Sequence, residues 1–151
     1  MKKSFYCEVS ESIAKYNPVS KTTKKITSSK TAVEACRELY DGDIYDIERM
    51  YVVFLNRANL VIHTMLLSMG GMTGTVVDLR KLFREALICK ATGIIITHNH
   101  PSGTDQPSNA DIDITEKIKS AGKIMDINLV DHIIIAGEES YYSFADSGRL
   151  F

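Results

Sequence analysis

Gly93-Ile94-Ile95-Ile96-Thr97-His98-Asn99-His100-Pro101-Ser102-Gly103, continuing to Pro107-Ser108-Asn109-Ala110-Asp111, is the stretch on which the fold turns. Ile94-Ile95-Ile96 has no polar alternation, which suits a strand buried on both faces. Pro101, Gly103 and Pro107 mark a loop, and a helix is expected from Ser108 to Ala121, stopped by Gly122. Downstream, Ile124–Val130, His132–Ala136 and Tyr141–Phe144 read as strands. Upstream, Asp78 can cap a helix whose apolar positions are Leu79, Leu82, Phe83, Ala86 and Leu87. Met50–Leu55 and Leu60–Leu67 flank a turn-like Asn56–Asn59 and read as a hairpin. Gly70-Gly71 breaks its second strand, and Thr73–Val77 reads as a short third. Ala32, Val33, Ala35, Cys36, Leu39 and Tyr40 share one helical face, ended by Asp41-Gly42-Asp43. Strands alternating with helices in this order predict an α/β domain with a mixed sheet and helices on its faces.

The 151 residues carry 18 Lys+Arg against 19 Asp+Glu and are 44% hydrophobic, which excludes disordered and fibrous classes and fits one domain with a core. Charge is uneven, because residues 1–30 hold seven Lys and two Glu while the rest is net acidic. Residues 1–27 are read as an N-terminal strand and basic connector, and 28–151 as the main domain. Asn17–Lys30 is read as a solvated loop, with a basic arm for nucleic acid as the other reading. No apolar run approaches the roughly 18 residues of a membrane span, and no apolar core follows the basic start, so neither a membrane nor a secretory signal is expected. Cys7, Cys36 and Cys89 are odd in number and lack CxxC spacing, against a disulfide framework or a Cys-rich metal site. A reduced, cytoplasmic protein is the expectation.

His98 and His100 leave the end of a buried strand two residues apart, so they point to the same side. Two imidazoles so placed can converge on one metal, and the loop can bring Asp111 back over the strand end. Three protein ligands leave a fourth position for water, as in catalytic zinc sites. A hydrolase of this kind also needs a carboxylate to move protons, for which Glu48 is the candidate, and an oxyanion donor, for which Ser108 is placed. Each residue has a plainer reading. His-x-His can be two surface or core histidines, Ser108-x-x-Asp111 spells a helix capping box, and Glu48 can be a solvated strand-end residue. His63 reads as a satisfied sheet histidine. Asp131-His132 reads as a polar cap on a strand, in preference to a pair supporting the site. Deamination is excluded, because H-x-E and P-C-x-x-C are both missing.

Glu48, His98-x-His100, seven residues, Ser108, two residues and Asp111 together resemble the JAMM (JAB/MPN) metalloprotease motif. The HNHPSG, PS-x-x-D and DHIII segments resemble its RadC branch, as do Leu55–Asn59, Gly74–Asp78 and Tyr142–Asp146. The resemblance implies a three-layer α/β/α fold with a mixed sheet, of cytidine-deaminase-like architecture. It implies zinc held by His98, His100 and Asp111, Glu48 as general acid/base, and Ser108 as oxyanion support. Two departures stand out: there is no space for the helix-hairpin-helix region of longer RadC proteins, and Met50 stands where the family usually has Phe. The expected activity is zinc-dependent hydrolysis of a peptide or isopeptide bond in a peptide or protein substrate. The alternative is a DNA-repair or mobile-element accessory protein that acts by binding nucleic acid. Exposed strand edges such as Tyr141–Phe144 make a homodimer conceivable.

Overall fold

The isoleucine run forms the middle strand of a five-stranded sheet. The computed structural model describes residues 24–40, 44–70 and 77–150. Its elements are α1 (Ser29–Arg37) with a short 3-10 turn (Glu38–Tyr40), β1 (Arg49–Leu55), β2 (Val61–Met69), α2 (Leu79–Ile88), β3 (Gly93–Asn99), α3 (Asn109–Ile124), β4 (Asn128–Ile135) and β5 (Tyr141–Ser143). The strand order is β2-β1-β3-β4-β5. β1 pairs antiparallel with both β2 and β3, β3 and β4 are parallel with α3 between them in the chain, and β4 turns back into β5.

All seven residues of β3 are buried, because both faces of the sheet are covered. Ile95 points to one face, where Val53, Leu55, Ile133 and Ile135 meet Val33 and Cys36 of α1 and Tyr40. Ile94 and Ile96 point to the other, with Val52 and Phe54 against Leu82, Phe83 and Ala86 of α2 and Ile118 of α3. The three-layer α/β/α arrangement with a mixed sheet is therefore as expected. Among the described residues, no helix is long and apolar enough to cross a membrane.

The expected hairpin forms from β1 and β2, and Asp78 caps α2 by accepting from Arg80 N–H at 2.9 Å. Four local readings need correction. Helix α3 does not stop at Gly122 but runs through it to Ile124. A Cβ on Gly122 would sit 2.3 Å from the Ile127 carbonyl oxygen, so glycine serves a close backbone approach there. The two strands expected between Ile124 and Ala136 are one strand, Asn128–Ile135, since residues 124–127 finish the helix and turn. The segment read as a loop up to Lys30 is structured from Lys25 onward. Lys25 bridges Leu60, Ile26 is buried in the core, and Ser28 caps α1 in a capping box with Thr31. The expected final strand is shorter by one residue at Phe144, which leaves the sheet to pack on Ile134. The N-terminal strand, the basic stretch before residue 24 and most of Thr73–Val77 lie outside the described residues.

Candidate metal centre

The site grows from the two-residue period of β3. Ile94, Ile96 and His98 share the face covered by α3, while Ile95, Thr97 and Asn99 share the opposite one. His100 follows the strand end, its backbone N–H still donating to Ile135 O at 2.9 Å. On α3, Asp111, Thr115, Ile118 and Gly122 are the buried residues and form one helical stripe facing the sheet. That stripe sets Asp111 against the two histidines.

His98 Nε2 lies 3.0 Å from His100 Nε2 and 3.2 Å from Asp111 Oδ1, and Asp111 Oδ2 is 3.5 Å from His100 Nε2. A tetrahedral zinc with bonds of about 2.05 Å spaces its ligand atoms by about 3.3 Å. The donor chemistry fits as well. His100 Nδ1 faces Thr104 O at 2.7 Å. A carbonyl only accepts, so the neutral ring carries its proton on Nδ1 and turns a bare Nε2 lone pair inward. The residues present therefore suit a divalent cation.

Ser108 is the N-cap of α3 and Asp111 its N3 residue. Ser108 N–H and Oγ–H both donate to Asp111 Oδ2, at 2.7 and 2.6 Å, and Asp111 N–H donates back to Ser108 Oγ at 3.2 Å. The capping and ligand readings of Ser108-x-x-Asp111 are thus compatible, since the cap fixes the carboxylate that faces the histidines. Burial alone would raise the Asp111 carboxyl, but both imidazoles and the Ser108 hydroxyl hold it well below the ordinary carboxylate range. The same carboxylate raises the His100 imidazole, against the opposing effect of burial.

Glu48 sits immediately before β1, whose register pairs Met50 with His98. It lines a cavity of about 350 Å³ together with Met50, Val77, His100, Ser108 and Asp111. His98, wholly buried, reaches the site through His100 and Asp111, which do line the cavity. A second cavity of about 400 Å³ opens at the far end of β3 around Arg57, Thr92 and Asp126, away from the histidines. Among the described residues, the group with metal-ligand geometry is His98, His100 and Asp111.

Residues behind this group were misread or missed in the sequence. His132 is not a strand cap. It is wholly buried, with Nε2 2.8 Å from His98 Nδ1 and Nδ1 2.6 Å from Thr115 Oγ1. Desolvation pushes its imidazole well below the usual histidine value. Asp131 does serve the strand end, accepting from His132 N–H, Ser143 Oγ–H and Ala145 N–H. Thr115 and Asn99 carried no signal of their own, since their partners are distant in the chain. His63 is, as expected, a sheet histidine with partners: half-buried in β2, it lies 3.3 Å from Glu85 and stacks on Phe54.

A mixed sheet between helical layers, with His-x-His leaving the middle strand and a helix-N-terminal aspartate over it, defines an α/β domain of the JAB/MPN type with a group that could hold a metal. The model of the RadC-like JAB domain matches residues 26–149, and the chain belongs to that family. It is 50% identical over 125 residues to a UPF0758 protein of Flavobacterium johnsoniae, covering 83% of this chain and 53% of that one. A UPF0758 protein of Porphyromonas gingivalis is 41% identical over 103 residues, covering 68% and 45%, and one of Clostridium acetobutylicum 38% over 126 residues, covering 83% and 54%. The chain spans about half the length of these relatives.

Proposed function

We propose that this domain is a zinc-dependent hydrolase that cleaves a peptide or isopeptide bond. The observation that carries the reading is the convergence of His98, His100 and Asp111 at 3.0–3.5 Å, the last two lining a cavity that Glu48 and Ser108 also line. Bound there, zinc would supply Lewis acidity and bring the pKa of a water down to about 7.

The chain's own groups would do the rest. The Glu48 carboxylate accepts the proton of the attacking water as its oxygen bonds to the carbonyl carbon. The same carboxyl then returns the proton to the leaving nitrogen as the C–N bond breaks. The Ser108 hydroxyl, turned from Asp111 Oδ2 towards the carbonyl, donates to the developing oxyanion. Ser108 N–H still holds Asp111 when the hydroxyl turns.

Elemental analysis of protein purified without chelator, followed by a peptide and isopeptide screen, tests the reading. About one zinc per chain is expected, lost in His100→Ala but kept in Glu48→Gln, with hydrolysis lost in both. Folded wild type that takes up no zinc when offered it, or a loaded protein that cleaves nothing, overturns it.

A further inference from the structure

We infer that Thr115 and His132 set the metal affinity of the site by holding the proton of His98 on Nδ1; this rests on the metal-site reading above. Thr115 Oγ1 contacts the Asp111 backbone carbonyl one helical turn back, and a carbonyl can only accept. The Thr115 hydroxyl proton is therefore used there. His132 Nδ1, 2.6 Å from the same oxygen, must be the donor in that contact.

His132 is wholly buried, and its two ring partners are an imidazole and a hydroxyl. A neutral ring protonated on Nδ1 has a lone pair on Nε2. That lone pair faces His98 Nδ1 at 2.8 Å, so His98 donates. Its own Nε2 is then bare, and it is this atom that lies 3.2 Å from Asp111 Oδ1 and 3.0 Å from His100 Nε2. The relay begins at the backbone of Asp111 and ends facing the side chain of the same residue. Every bond in it runs in one direction, and no link can be reversed while Thr115 is tied to a carbonyl.

Without the Thr115 hydroxyl, His132 loses the acceptor that fixes its tautomer. His132 can then place its proton on Nε2, which drives the His98 proton to the metal-facing nitrogen. A ligand that must first move a proton binds metal more weakly. Loss of such an outer partner typically weakens a metal site about 10- to 100-fold.

The test is zinc competition against a chromophoric chelator with the full chain, alongside nitrogen-15 spectra of the histidine rings at mildly alkaline pH. Thr115→Val should weaken zinc about 10- to 100-fold while the fold is retained, and Thr115→Ser should restore it. In metal-free wild type, His98 should carry its proton on Nδ1, and Thr115→Val should shift it towards Nε2. Unchanged zinc affinity in Thr115→Val overturns the inference, as does wild-type His98 protonated on Nε2. Wild type that binds no zinc would overturn the metal reading, and the ring spectra would still decide the proton's place. Should Thr115→Val fail to fold, His132→Phe, which leaves His98 Nδ1 no acceptor on that side, takes its place, with the same loss of affinity expected and unchanged affinity counting against the relay.

Discussion

Asn99 Oδ1 accepts the backbone N–H of Arg49 at 2.7 Å, across the antiparallel pair of β1 and β3. The Nδ2 group of the same side chain donates to Ile44 O at 2.7 Å and Ile47 O at 3.0 Å. A residue between the two histidines thus grips the backbone on both sides of Glu48. Asn99→Ala should leave those backbone groups without their partner and lower stability by about 2–4 kcal/mol. Zinc uptake should persist, because the three donor atoms are untouched. Urea unfolding reads the first effect and elemental analysis the second, while amide exchange over residues 45–49 should be faster than in wild type.

Ser108→Ala separates the capping role of one hydroxyl from the oxyanion role proposed for it. Loss of the helix cap should lower stability by about 1 kcal/mol. Loss of an oxyanion donor should lower kcat by about a hundred-fold or more. Comparing turnover at equal zinc content with the shift in urea midpoint distinguishes them, since a purely structural serine would show only the shift.

Gly122→Ala should destabilise by about 1–3 kcal/mol, although helix propensity alone favours alanine by about 1 kcal/mol. The added methyl meets the carbonyl oxygen of Ile127, the residue whose N–H closes the α3–β4 turn by donating to Gly122 O at 2.9 Å. An increase in stability on urea unfolding would mean that the turn gives way freely.

Cys36 is wholly buried on the sheet-facing side of α1, and desolvation pushes its thiol from 9.0 up to about 12. The unfolded thiol ionises above about 9 while the folded one keeps its proton. Stability is therefore full below that pH and falls as pH rises towards 12, by about 1.4 kcal/mol per unit from this group. Tyr40, also raised by burial, acts in the same direction. Urea unfolding across that range should show the decline, and Cys36→Ala should lower stability near neutral pH yet flatten the slope.

The readable parts of this molecule were those written in short-range patterns. The isoleucine run, the Asp78 cap and the His-x-His with its Ser-x-x-Asp partner are all local, and the structure brings the last two together. What escaped depends on which segments meet. Asp131-His132 looks like a strand-end pair until β4 is laid parallel to β3, with Ile96 opposite His132. The letters of Asn99 say nothing of a clamp on residues 44–49. Gly122 carries the same letter whether it ends a helix or lets a turn pass close by, and only the position of Ile127 tells them apart. Residues 124–130 were apolar enough for a strand, but the helix continued because α3 still had Ile118 and Gly122 to set against the sheet.

The protein atoms around His98, His100 and Asp111 carry a last consequence. Each of the three is tied through a second atom to the scaffold: His98 to His132, His100 to Thr104, and Asp111 to Ser108. The pocket is thus a socket built by the polypeptide, unlike small zinc modules that collapse when stripped. A chelator should empty it and leave the far-ultraviolet dichroism unchanged, and refilling should need no refolding step. On the proposed reading, a divalent ion would then enter or leave an already standing molecule, with no folding step tied to its arrival.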